Sequence, residues 1–181
     1  GEEKAEWRGR GGGGEGVDGG VKGGKERGGR NEVWEGEGEQ EGEEKGFTLG
    51  LVRRVTQDRR FVLWIRQDFS ALESGDLAME GFAQLGLDPR RVVVVRAPNA
   101  ETVLRIASDG VACNALGAVV AEIQGETKAF DLVASRKLSL AASTSRVTVL
   151  MLRLGAVPQA STAETRWIVR SAHSPPVARW Q

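Results

Sequence analysis

Four stretches of the chain are apolar without alternation, and amphipathic or polar segments separate them. Phe61 to Ile65, Val92 to Val95, Gly117 to Ile123 and Val147 to Leu152 each read as a strand with apolar side chains on both faces, the pattern of a parallel sheet covered by helices. The clearest unit runs from Arg90 to Ala107. Its four valines predict a strand buried on both faces. Pro98 ends the strand, Asn99 supplies an N-cap, and Glu101 and Thr102 open a helix with Val103, Ile106 and Ala107 on one side. Earlier in the chain, Phe47, Leu51 and Val55 form a helical stripe opposite Arg53 and Arg54. Gly75 and Asp76 start a helix with Leu77, Phe82 and Leu85 inward, closed by Gly86. Phe130 to Ser143 is a further helix, with Phe130, Val133, Leu138 and Ala141 inward and Arg136 and Lys137 outward. Thr165 to Arg170 alternates polar and apolar residues, which suits an edge or antiparallel strand.

Strands alternating with helices predict an α/β fold, a mainly parallel sheet flanked by helices. Ligands of such sheets bind beyond the strand C-termini. The residues expected there are Arg66, Gln67, Asp68, Arg96, Glu122 and Arg153.

Composition sets the domain limits. Residues 1–46 hold 17 of the 25 glycines, with 8 basic and 13 acidic side chains. Such a segment has little apolar surface to offset its backbone entropy. Residues 1–45 therefore read as a flexible, largely disordered Gly/Glu-rich head with a possible short strand near 32–34. Residues 46–172 form the α/β domain, and 173–181 a proline-containing tail. The body is Arg-rich, with the pairs Arg53-Arg54, Arg59-Arg60, Arg90-Arg91 and Arg136-Lys137. Solvated helix surfaces account for these pairs, and a shared patch for DNA or an acidic protein is the alternative.

Candidate chemistry is sparse. One cysteine, Cys113, excludes an intramolecular disulfide and is expected in the core. One Cys and one His make no specific metal site. His173 has no serine elbow or paired carboxylate beside it. Asp68 and Glu122 are expected at the same end of the sheet. No apolar run approaches the roughly 18 residues of a membrane span, and no leader is evident, so a cytoplasmic protein is expected.

The combination of LWI, VRAPNAETVL, DLVASRKLSLAA and TRWIV, in that order over about residues 47–170, resembles the ImuA family. These are RecA-like accessory proteins of bacterial SOS mutagenesis. The resemblance implies a RecA-like sheet in which GFTLGLVRRV follows the phosphate loop and GAVVAEI ends in the magnesium-associated carboxylate. It also exposes what is missing. A phosphate loop needs backbone N–H groups at glycines, a Lys for the β/γ-phosphates and a hydroxyl for magnesium. Here EGEGEQEGEEKGFTLG offers Gly36, Gly38, Gly42, Lys45 and Thr48, but Gly46 and Phe47 follow the lysine. Six glutamates from Glu35 to Glu44 crowd the loop. Each carboxylate near a triphosphate opposes binding by on the order of 1 kcal/mol.

The implied protein is therefore not an enzyme and needs no cofactor. It is expected to be an adaptor that helps assemble an error-prone translesion polymerase complex. The resemblance implies as partners an ImuB-like protein of the Y-polymerase type, a C-family error-prone polymerase and RecA. Arg96, Arg166, Trp167 and Arg170 are the candidate partner surface, the last three through β-augmentation on a terminal edge strand. One alternative is a RecA-type ATPase using Lys45, Thr48 and Glu122. Another is an SOS cell-division inhibitor of the SulA family, which uses the same degenerate RecA-like fold.

Overall fold

A computed structural model describes residues 3–4, 31–36, 41–56, 60–68 and 75–169. The strands are β1 (Glu3–Lys4), β2 (Asn31–Gly36), β3 (Phe61–Gln67), β4 (Val92–Ala97), β5 (Leu116–Gln124), β6 (Thr148–Leu154) and β7 (Thr165–Val169). The helices are α1 (Glu41–Thr56), α2 (Met79–Gln84), α3 (Ala100–Val111) and α4 (Leu132–Ser145). The strands form one sheet in the order β1-β7-β2-β6-β5-β3-β4, and every pairing is parallel. The expected α/β architecture is the one observed. β2 and the first turn of α1 lie before residue 46, so the sheet takes in part of the Gly/Glu-rich head.

Parallel strands require crossovers, and these place helices on both faces. On one face, Ile65, Val119, Ala121, Val149 and Met151 pack with Val103 and Ala107 of α3 and Leu138 and Ala142 of α4. On the other, Val62, Trp64, Val120 and Leu150 meet Leu49 and Val52 of α1 and Phe82 of α2. β6 is buried along its whole length, and β5 everywhere except Gln124. These central strands read as apolar runs because each face meets a helix.

Several local expectations change. The valine strand β4 is the sheet edge, and Val93 and Val94 are 46% and 39% exposed. Helix α3 lies mainly over β5 and β3, leaving β4 poorly covered. β7 is neither an edge nor antiparallel, because it runs parallel between β2 and β1. Its alternation has another cause: Trp167 and Val169 pack with Phe47, Leu152 and Leu154. On α1 the innermost side chains are Thr48, Leu49, Val52 and Thr56, while Phe47, Leu51 and Val55 are half-buried. The helix expected from Gly75 is confined to α2, whose N-cap residue Ala78 provides no side-chain acceptor. On α4, Val133 points outward at 60% exposure. Asp131 caps that helix by accepting from the Ala134 amide at 2.7 Å, which starts it after Phe130. Cys113 is exposed in the turn after α3 and is not a core residue.

Asn99 is the N-cap of α3, its Oδ1 accepting from the Thr102 amide at 2.9 Å. Without that acceptor one of the helix's free N–H groups loses its partner. Asn99→Ala is expected to cost about 1 kcal/mol in urea unfolding, with an unchanged slope.

Candidate functional site

The end of the sheet where ligands of parallel α/β folds bind is built here around a buried carboxylate. Glu122 sits near the end of β5, and Arg66 is its register partner on β3. Both side chains lie on the face covered by α1, since they continue the alternation of Val62 and Trp64 and of Val120. Neither reaches solvent, with Glu122 at 0% and Arg66 at 1% exposure.

Glu122 is surrounded by donors. Trp64 Nε1 donates to Oε2 at 3.1 Å, and Arg66 Nε donates to Oε2 at 3.1 Å and to Oε1 at 3.3 Å. Lys45 Nζ, from the second turn of α1, stands 4.0 Å from Oε1. Arg66 continues outward, its Nη1 donating to the Gly75 carbonyl at 2.8 Å. One carboxylate thus ties α1, β3, β5 and the segment before α2 together. Burying a charge is costly unless it is paired and hydrogen-bonded, and this cluster meets both conditions.

The sequence-predicted residues distribute unevenly over this site. Lys45 and Glu122, singled out as nucleotide-site candidates, are brought together. Thr48 is fully buried on the inner side of α1. Gly42 lies within α1 and not in a loop, and residues 37–40, which include Gly38, lie outside the described residues. Asp68 does not face Glu122: it is exposed, and Arg66 takes that place. Gln67 serves locally, its side-chain oxygen accepting from the Gln124 amide at 2.6 Å. Arg153 is buried on the opposite face, its guanidinium 5.8 Å from the centre of the Phe130 ring and its Nη1 3.4 Å from the Val157 carbonyl.

The partner candidates separate as well. Arg96 is exposed near the end of the edge strand and pairs with Asp76. Arg166 donates to the Gln159 carbonyl, which holds the β6–β7 connection. Trp167 packs on Phe47 with ring centroids 5.7 Å apart, so its ring is a packing element of the domain. Arg170, His173 and the 173–181 tail lie outside the described residues.

Sequence reasoning missed Trp64 and the Arg66–Glu122 pair as a unit. The signal was present for the pair: Arg66 and Glu122 are each a charge at the end of an otherwise apolar strand, and two opposite charges so placed call for each other.

The fold and this site define a class: a parallel α/β domain with helices on both faces and an ion cluster near the strand C-termini. Among solved structures, the chain is similar to the crystal structure of SulA from Pseudomonas aeruginosa. The likeness has a TM-score of 0.52 at 20% identity, covering 68% of this chain and 98% of that one. At that identity it establishes a SulA-like fold. No family model matches the chain, and no curated protein matches it in sequence. Among the described residues no helix is long and apolar enough to cross a membrane.

Proposed function

We propose that this chain is a non-catalytic accessory protein of SOS-induced, error-prone translesion DNA synthesis, an adaptor of the kind its ImuA-like motifs imply. The observation that carries the reading is the commitment of Glu122 to Arg66, Trp64 and Lys45. In a RecA-type ATPase the corresponding carboxylate serves magnesium and the lysine serves phosphate. Here a divalent ion at Glu122 would have to displace Arg66 from a buried ion pair, and a phosphate would have to draw Lys45 away. The six glutamates that the sequence carries from Glu35 to Glu44 support the same reading, since carboxylates near a triphosphate oppose its binding.

Adaptor function then falls to the surface. Among the described residues no strand pairs with the outer side of β4, and this exposed edge, with Val93, Val94 and Arg96, is one that a partner strand can extend. The partners this reading calls for are an ImuB-like protein, a C-family error-prone polymerase and RecA. The expected result is that millimolar ATP with magnesium leaves the thermal midpoint of the purified protein unchanged, whereas pulldown from DNA-damaged cells recovers a polymerase-related protein. A nucleotide-dependent rise in midpoint would return the chain to the ATPase class.

A second reading is a SulA-like inhibitor of cell division, favoured by a structural match that spans nearly all of the SulA chain. Expression that filaments cells without changing mutation rate would select it over the adaptor.

A further inference from the structure

At the opposite end of the sheet, three arginines that are scattered in sequence converge on one pocket. Arg53 comes from the last turn of α1, Arg60 from the entry to β3, and Arg91 from the entry to β4. The pocket has a volume of about 90 Å³ and an apolar floor that includes Val62, Leu87 and Val92. Val62 and Arg66 are four residues apart on β3, so the pocket lies about 13 Å from the Glu122 cluster and is independent of it.

Two glycines give these arginines their positions. A Cβ at Gly86, whose φ of +78° already favours glycine, would lie 3.1 Å from Cζ and 3.2 Å from Nε of Arg53. The guanidinium therefore rests against the bare backbone of the turn after α2. A Cβ at Gly117 would lie 3.0 Å from Cβ of Arg60 and 3.0 Å from Cα of Thr56. Arg60 is thus anchored at its stem against the start of β5. A basic last turn answers the dipole of α1 wherever its charge points. That general effect does not account for a guanidinium seated on a glycine turn.

Asp88, the carboxylate among the described lining residues, is already engaged. Asp88 accepts from the Arg90 amide, Nε and Nη2, each at 3.0 Å. Hydrogen bonding from the Arg90 side chain holds its carboxyl below the usual range. Asp88 also stands 3.9 Å from Arg91 Nε. Among the described residues neither Arg53 nor Arg60 has a carboxylate within ion-pair distance. Asp88 is thus shared by Arg90 and Arg91, and among the described lining residues Arg53 and Arg60 carry the positive charge that no carboxylate at ion-pair distance offsets.

We propose that this pocket binds a single phosphate-class oxyanion, held by the Arg53 and Arg60 guanidiniums with Arg91 at the rim. The volume favours one tetrahedral group, since pockets for drug-sized ligands run from about 300 Å³ upward. Planar guanidinium forks suit phosphate oxygens. The group comes either from a small phosphate or from a nucleic-acid backbone, and exposed Arg54, beside Arg53 in the last turn of α1, adds positive charge at the same helix end.

The test uses the full chain, the Arg53→Gln/Arg60→Gln double variant and, as a control on the other face, Arg136→Gln. Inorganic phosphate is expected to raise the thermal midpoint of the native chain and of Arg136→Gln above a sodium chloride reference of equal ionic strength. The double variant is expected to lose affinity about tenfold for each arginine removed. A fluorescein-labelled oligothymidylate, followed by anisotropy, identifies the source. Binding lost in the double variant assigns the site to a nucleic-acid backbone, and a response to inorganic phosphate alone assigns it to a small ligand. No response to either probe, or an equal response in the double variant with its circular dichroism unchanged, overturns the proposal.

Discussion

Glu122→Ala is expected to destabilise the domain by about 3–5 kcal/mol in urea unfolding, one of the largest effects of any single side chain. The carboxylate is fully buried and answers Trp64 Nε1, Arg66 Nε and the nearby Lys45 ammonium. Its removal takes the Glu122 carboxylate away from a guanidinium that is 1% exposed. The cost is therefore dominated by the buried Arg66 charge losing this carboxylate and not by the net worth of the ion pair. A double replacement separates the two. Glu122→Leu combined with Arg66→Met replaces the pair with apolar groups of similar volume and is expected to recover most of the loss, because a dry pair and a well-packed apolar pair are often close in free energy. A single variant within about 1 kcal/mol of the native protein would show that water reaches the cluster and that Glu122 is available for other ligands.

The same cluster shows what the sequence made legible. The apolar runs of β5 and β6 announced central strands because their burial comes from helices on both faces, and a run without alternation records that directly. The run in β4 looked the same yet lies at the edge. Backbone pairing leaves no mark on side-chain type, so four valines do not say whether a strand stands outside them. The alternation of β7 was visible, but its cause was not: Phe47 of α1, over a hundred residues earlier in the chain, packs against Trp167. At the site, Lys45 and Glu122 were singled out only through the pattern that the ImuA resemblance implies. Arg66 was legible only as a strand-end residue, because its relation to Glu122 depends on β3 and β5 being neighbours in register, which connection order alone does not fix. Cys113 was misplaced for a simpler reason: α3 ends at Val111, two residues before it, so the helical periodicity that would have buried it no longer applies.

Trp64→Ala is expected to cost about 3–5 kcal/mol, and the comparison with Trp64→Phe shows what the indole does beyond filling space. Trp64 is fully buried, meets Phe82 edge-on with centroids 5.5 Å apart, and is packed among Leu49, Val52 and Val120. Truncation to Ala opens a cavity among α1, α2 and the sheet, and also removes a donor from Glu122. Phe keeps most of the apolar contact but has no N–H. Its expected cost is about 1.5–3 kcal/mol, the range for a hydrogen bond to a charged group. A cycle that combines Trp64→Phe with Glu122→Gln should be non-additive, since the second substitution removes the charge that made the first costly. Strict additivity would mean that the indole N–H contributes nothing to holding the carboxylate. Glu122 would then be held by Arg66 and Lys45 alone, leaving its Oε2 lone pairs less committed and the barrier to a divalent ion lower.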